Sequence, residues 1–205
     1  MKILLFGKNG QLGWELHRCL APLGMVFAVD YPEVNLANGH QVRSLLKGNR
    51  PDVIVNAAAY TAVDDAENDQ DKAMAVNAVA PGILAEEARL LNVVLIHYST
   101  DYVFDGMKGA AYVETDRPNP LNVYGQSKLE GEKNVQQVGG SFLILRTSWV
   151  YSLRQGGFVQ KVLKWSRENE TLRIVADQVG SPTWARMLAE VTAQLLVWGQ
   201  RETEH

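Results

Sequence analysis

Gly7-Lys8-Asn9-Gly10-Gln11-Leu12-Gly13 is the stretch that decides the fold. It follows an apolar run, Ile3-Leu4-Leu5-Phe6. It leads into residues 11–23, where Leu12, Leu16, Cys19, Leu20 and Leu23 recur at helical spacing. The glycines therefore stand between a strand and a helix. Without a Cβ the backbone turns sharply and can lie close to a pyrophosphate. The helix N-terminus behind it offers free N–H groups and a partial positive charge. Strand, glycine turn and helix in this order predict a dinucleotide-binding βαβ unit.

Four further short apolar runs, at 26–29, 53–55, 93–96 and 142–145, are continuous rather than alternating. That pattern belongs to strands buried on both faces, as in a parallel sheet. Helical patterns separate them. In residues 71–91, Ala73, Val76, Ala80, Leu84, Ala88 and Leu91 share one side, with a kink expected at Pro81. The alternation predicts an α/β fold, a doubly wound parallel sheet of Rossmann-like type. After Trp149 the rhythm changes. Residues 158–167 read as helix, 172–176 as extended and 184–198 as a final helix, before a polar tail, 199–205, expected to fray. Residues 1–150 are expected to form an NAD(P)-binding domain. Residues 151–205 are expected to form part of a substrate domain, with the last helix returning to the first domain.

With 46% hydrophobic residues the 205-residue chain can bury a sizeable core. Its net charge of -3 points to neither nucleic acid nor a membrane surface as partner. Cys19, the single cysteine, falls in the first helical stripe, which excludes an internal disulfide and reads as core packing. His17, His40, His97 and His205 have no metal-ligand spacing, so no metal is expected. With no cleavable signal and no apolar run near about 18 residues, a cytoplasmic protein is expected.

Asp30 ends the second apolar run, about 20 residues beyond the glycine turn, where a carboxylate accepts hydrogen bonds from ribose hydroxyls. It would repel a 2′-phosphate and so favours NADH over NADPH. Lys8 would offset that repulsion, which leaves NADPH or NADH as the cofactor. The third run ends in Asn56-Ala57-Ala58-Ala59-Tyr60-Thr61, small residues that leave room for a ligand at the carboxyl end of a central strand.

Tyr124 and Lys128 lie four residues apart on a segment opened by Asn119-Pro120, read as a cap and a helix-starting proline. Reducing a ketone needs a hydride on carbon and a proton on oxygen. An ammonium about 5 Å from a phenol, at an effective dielectric near 20, favours phenolate by roughly 3 kcal/mol, or about two pKa units. The pair is thereby poised to exchange a proton with a substrate oxygen, and the lysine can also hold the nicotinamide ribose. Tyr98-Ser99-Thr100-Asp101, after the fourth run, supplies a strand-end hydroxyl for the same carbonyl.

Taken together, the glycine stretch, Pro51-Asp52-Val53-Ile54-Val55-Asn56-Ala57-Ala58-Ala59, Tyr98-Ser99-Thr100-Asp101-Tyr102-Val103-Phe104-Asp105-Gly106, Asn122-Val123-Tyr124-Gly125, Arg146-Thr147-Ser148-Trp149-Val150-Tyr151 and Asp177-Gln178-Val179-Gly180-Ser181-Pro182-Thr183 form one pattern. It resembles the bacterial dTDP-4-dehydrorhamnose reductases, of the extended short-chain dehydrogenase/reductase type. The resemblance extends to about Trp198. It implies reduction of a 4-keto nucleotide sugar by NADPH or NADH in dTDP-rhamnose and polysaccharide synthesis. By that analogy Thr100, Tyr124 and Lys128 are catalytic. Gly7, Gly10, Gln11, Leu12, Gly13, Asp30 and Ala57, Ala58 and Ala59 meet the cofactor, with Thr61 nearby. Asp101 and Trp149, with Thr100 and Tyr124, meet the sugar nucleotide, and Asn77 supports the lysine through water.

Two departures bear on these expectations. Asn35-Leu36 stands where the family carries an aspartate in its adenine-contacting pair. The family also continues past the last helix here to a two-domain length. An incomplete substrate domain, an impaired reductase and self-association as a homodimer are therefore expected. An epimerase or dehydratase of the same superfamily, and a non-catalytic NADP-binding subunit, are the alternatives. Turnover of a 4-keto sugar nucleotide separates them.

Overall fold

The computed structural model describes residues 1–154 and 157–202. Each of the five apolar runs forms a strand: β1 (Lys2–Phe6), β2 (Met25–Val29), β3 (Val53–Asn56), β4 (Val94–Thr100) and β5 (Phe142–Thr147). All pair in parallel, in the order β2-β1-β3-β4-β5. The helices are α1 (Gln11–Leu20), α2 (Gly39–Asn49), α3 (Val63–Ala66), α4 (Gln70–Met74), α5 (Ala80–Leu91) and α6 (Val123–Val138). A short strand β6 (Val150–Tyr151), α7 (Phe158–Glu168), β7 (Thr183–Trp184) and α8 (Ala185–Glu202) follow.

The strands read as continuous apolar runs because helices cover both faces. Ile3 and Leu5 pack with Leu12, Leu16 and Leu20 of α1 and with Ala189 and Leu196 of α8. Leu4 and Phe6 point the other way, to Val42 and Leu46 of α2, Leu84 and Ala88 of α5 and Val135 of α6. Burying one such side chain stabilises the fold by about 1.5–3 kcal/mol, and this layered packing is where most of that energy collects. α8 is also tied to the sheet by a buried hydrogen bond between the Tyr98 and Thr192 hydroxyls, 2.7 Å. Cys19 is half-buried against the α1–α8 cluster, and burial pushes its thiol pKa up.

Local departures from the sequence reading have local causes. α1 stops at Leu20, and residues 21–23 form a 3₁₀ turn around Pro22. The helical stretch near 71–91 is interrupted before Pro81 rather than at it: α4 passes through a π-turn, Ala75–Val79, into α5. Proline lacks the N–H that would continue the regular ladder, so the wider turn lies just ahead of it. α6 begins at Val123, not at Asn119-Pro120. Its cap is Asn122, whose Oδ1 accepts from Gly125 N at 2.7 Å. Asn119 is spent elsewhere, donating to Asp105 Oδ2 at 3.0 Å. Residues 172–176 join no strand, and the ladder partner of β6 is β7. α8 runs on to Glu202 through part of the expected tail, while residues 203–205, His205 included, lie outside the described residues. Among the described residues no helix is long and apolar enough to cross a membrane.

Candidate active site

The sheet order sets the site. β2 lies on one side of β1 and β3 on the other, so the loops after β1 diverge and open a crevice at the carboxyl ends of the strands. Gly7 turns into that crevice with φ +88°, and a Cβ there would stand 2.7 Å from Ala58 N. A Cβ on Gly13 would stand 1.9 Å from Gly7 O. The loop is therefore pressed against both the end of β3 and its own helix, which leaves its outer side as a cradle for a ligand. Gly10 caps α1 without a side-chain hydrogen bond, so the first-turn amides of Gln11, Leu12 and Gly13 face outward without a helical acceptor. Leu12 is buried in the core and has only its amide to offer. The Gln11 side chain turns away to the second part of the chain, donating to Val150 O at 3.1 Å and accepting from Ser152 Oγ at 3.2 Å.

A groove of about 560 Å³ runs from this loop along the sheet edge, lined by Gly7, Asp30, Asn35, Leu36, Ala58 and Ala59, with Tyr60 and Lys72 as well. The Asp30 carboxylate accepts from Asn9 N at 2.9 Å and from Tyr31 N at 2.8 Å. Asn35 is exposed, and its Oδ1 accepts from Ala37 N at 3.0 Å, while Leu36 is anchored in the core. Ala57 N donates to Phe6 O at 3.1 Å, which closes the floor, and Thr61 is exposed beyond Tyr60. The glycine cradle, the open helix terminus and a carboxylate at the end of β2 fit a dinucleotide.

The groups expected to react lie at the end of β4 and in the first turns of α6. Thr100 is buried; its hydroxyl donates to Asp101 Oδ1 at 3.1 Å and accepts from Tyr102 N at 3.2 Å. The other Asp101 oxygen accepts from Ser148 Oγ at 2.7 Å, which joins the ends of β4 and β5. Tyr124, in the first turn of α6, packs edge-on against Tyr102 with ring centres 5.5 Å apart. One turn later Lys128 is 2% exposed and donates to Tyr98 O at 2.7 Å. Burial pushes the Tyr124 phenol up to about 12, with a hydrogen bond to Thr100 pulling the other way. Burial also pushes Lys128 down to about 8, with Glu132 holding it up. The expected lowering of the phenol by Lys128 is not found: the ammonium is engaged by the Tyr98 carbonyl, and desolvation keeps the phenol protonated. The site holds a proton donor at neutral pH.

Behind this surface lie further groups; of these, Asn77 was expected to support Lys128 through water, whereas the Glu132–Arg146 pair escaped the sequence reading. Asn77, in the π-turn, bonds both Tyr60 N (2.9 Å) and Tyr60 O (3.0 Å), and also donates to Ser127 Oγ (3.0 Å). It clamps the loop after β3 to the helix of Tyr124 and Lys128; its partner there is Ser127, the lysine's neighbour. Glu132, one turn beyond Lys128, accepts from Arg146 Nε at 2.9 Å and from its terminal nitrogen at 2.6 Å. A glutamate on the buried side of a helix, four residues from the lysine, was the available signal. His97 is fully buried on β4, its Nδ1 3.1 Å from Asn56 Nδ2, and burial, then Lys128, holds its pKa well below the usual range. Trp149 has φ +46°, a strained conformation for a bulky residue, and its ring lies against Gly180, where a Cβ would stand 2.7 Å from it. The ring is half-exposed beside the Thr100–Asp101–Ser148 cluster in chain order.

Comparison with known proteins bears on the same site. The family described as the RmlD substrate binding domain matches residues 1–204. The dTDP-4-dehydrorhamnose reductase of Burkholderia thailandensis is 48% identical over 202 residues, covering 98% of this chain and 68% of that protein. The reductase of the same name from Escherichia coli K12 is 46% identical over 200 residues, covering 96% of this chain and 67% of that one. This chain therefore spans about two thirds of the length of these relatives. Among solved structures, dTDP-4-dehydrorhamnose reductase from Bacillus anthracis in complex with NADP superposes with a TM-score of 0.90 at 36% identity, over 95% of this chain and 69% of that one. A UDP-glucose 4-epimerase from Thermus thermophilus in complex with NAD shares the fold, with a TM-score of 0.79 at 23% identity over 95% of this chain and 74% of that one.

Proposed function

The chain belongs to the dTDP-4-dehydrorhamnose reductase family, and from that premise we propose that it reduces the 4-keto group of dTDP-4-dehydro-L-rhamnose to dTDP-L-rhamnose. It is an oxidoreductase dependent on NADPH or NADH. The observation that carries the reading is the gathering of Thr100, Tyr124 and Lys128 beside the glycine cradle, at the carboxyl edge of one sheet.

Bound NAD(P)H supplies the hydride to the carbonyl carbon. The Thr100 hydroxyl orients the carbonyl oxygen. Tyr124 gives its proton to that oxygen as the C=O electron pair moves onto it, and the high phenol pKa keeps that proton in place until then. Lys128 holds positive charge beneath the reacting centre and a donor for the nicotinamide ribose. Asp101 and Trp149 meet the sugar nucleotide. Gly7, Gly10, Asp30, Asn35, Leu36, Ala57, Ala58, Ala59 and Thr61, with the amides of Gln11, Leu12 and Gly13, hold the cofactor. Residues 1–150 carry the cofactor site, and 151–205 contribute to the substrate side. The reaction takes place in the cytoplasm. Exposed Phe158, Leu163, Met187 and Trp198 on α7 and α8 support a homodimer.

The test is to incubate the protein with dTDP-4-dehydrorhamnose and NADPH or NADH, following loss of reduced nicotinamide and appearance of dTDP-rhamnose. Cofactor binding without turnover would instead identify a non-catalytic subunit. Epimerised keto sugar without net oxidation of cofactor would identify an epimerase.

A further inference from the structure

One cation lines the groove and a second stands in the glycine loop. Lys72, on α4, lines the wall beside Tyr60, its ammonium 5.5 Å from the ring centre. Lys8, inside the glycine loop, forms an ion pair with Glu33 at 2.6 Å. Glu33 is fixed in turn by Asp30 N, which donates to its carboxylate at 3.3 Å. Asp30 is itself held by Asn9 N and Tyr31 N. The end of β2 thus carries two carboxylates pinned by backbone amides and one ammonium shared between loop and strand end. A ribose bound there presents its 2′ position to Asp30. A 2′-phosphate at that point meets net negative charge unless a cation turns toward it, and Lys8 is the cation built into the loop that cradles the cofactor. Its ammonium is held by Glu33. The Lys8 hydrogen bond, then that from Asp30 N, holds Glu33 below the usual carboxylate range, so its carboxylate stays ionised across neutral pH.

We infer that Glu33 is a cofactor-selectivity residue: by holding Lys8 in an ion pair beside Asp30, it withholds that ammonium from a 2′-phosphate and so favours NADH over NADPH. The inference rests on the dinucleotide site proposed above and adds to it the group that sets the choice. Neither Lys8 nor Glu33 belongs to the reacting centre or to the packed core; the Lys8 side chain is 29% exposed and that of Glu33 51%, so each can be changed without opening the core.

Calorimetric titration of the 205-residue protein with NADH and with NADPH provides the test. Four proteins are compared: wild type, Glu33→Gln, Lys8→Gln and the double variant. Glu33→Gln is expected to tighten NADPH by about threefold to tenfold, the range for one charge-assisted contact at a partly exposed site, while NADH stays within about twofold. Lys8→Gln is expected to weaken NADPH. In the Lys8→Gln background, Glu33→Gln should lose most of its effect, because the ammonium it frees is gone. Equal shifts for both cofactors in Glu33→Gln, or a full NADPH effect that survives without Lys8, would overturn the inference while leaving the dinucleotide site intact. A wild type that binds neither cofactor would overturn the site and the inference together.

Discussion

The sheet body and the segment from β6 to β7 are held by different means. In the body, Ile3, Leu5, Phe6, Leu16, Ile54 and Ile96 are completely buried. In the segment, α7 buries no residue, although its apolar side chains recur at helical spacing. Phe158, Leu163 and Trp165 all face solvent. What attaches the segment is polar: Gln11 to Val150 and Ser152, Arg154 Nε to Asn9 O at 2.9 Å, and Thr183 N to Trp149 O at 3.3 Å. Net hydrogen bonds contribute about 0.5–1.5 kcal/mol each, against about 1.5–3 kcal/mol for a fully buried side chain. The difference teaches that a closely packed sheet can carry a neighbouring segment on a few polar ties. The fastening is made at the glycine loop itself, through Asn9 and Gln11.

Stability measurements probe that contrast most strongly. Leu16→Ala, in the packed face between α1 and the sheet, is expected to cost about 2–5 kcal/mol in urea unfolding. Leu163→Ala, on the exposed face of α7, should stay within about 0.5 kcal/mol. Equal costs at the two positions would abolish the distinction. Next in size, Tyr124→Phe should lower kcat at least about 10²-fold, or about 2.7 kcal/mol, while unfolding and cofactor affinity remain near wild type. A loss of stability on that scale would make Tyr124 a packing residue of the body instead.

The body also sets the pH range. Lys128 faces His97 and the Tyr98 carbonyl from β4, Glu132 from its own helix, and Arg146 from β5 through Glu132. Its charged form is lost as pH rises through about 8, so kcat/KM should fall on the alkaline side. Glu132 raises the Lys128 pKa, and Glu132→Gln should therefore move that fall to lower pH, with a several-fold loss at pH 8 and little change in more acidic buffer. An unmoved alkaline limb would detach Glu132 from the lysine. The smallest effect is expected at the fastening: Arg154→Ala removes one hydrogen bond to Asn9 O and one cation–π contact with Trp14, 5.7 Å away. Global stability should change by about 1 kcal/mol or less. Limited proteolysis between β6 and β7 should nevertheless accelerate. Unchanged proteolysis would mean that the segment is held by something other than these ties.

What could be read in the chain divides along the same line. The five strands were legible because burial on both faces leaves uninterrupted apolar runs, and the glycine turn because only a residue without Cβ fits against Ala58 and Gly7. Tyr124 and Lys128 were legible because helical spacing places them on one side. The Asn77 clamp and the Glu132–Arg146 pair join residues 17, 50 and 14 positions apart, and no local pattern carries such contacts. Residues 172–176 looked extended on composition alone, but a strand needs a ladder partner, and β6 found Thr183 and Trp184 instead. The cap at Asn122 rather than Asn119 turned on a side chain three residues away having a stronger claim, from Asp105.

The order β2-β1-β3-β4-β5 has a consequence for biosynthesis. Once β1 and β2 have paired, every later strand joins the same growing side of the sheet: β3 on β1, β4 on β3, β5 on β4. Emergence from the ribosome is slow beside helix and loop formation, so each strand meets a finished edge as it appears and none has to be inserted between partners already made. Nascent chains halted after each successive strand should thus contain a sheet one strand wider than the last, with the same neighbours it will keep.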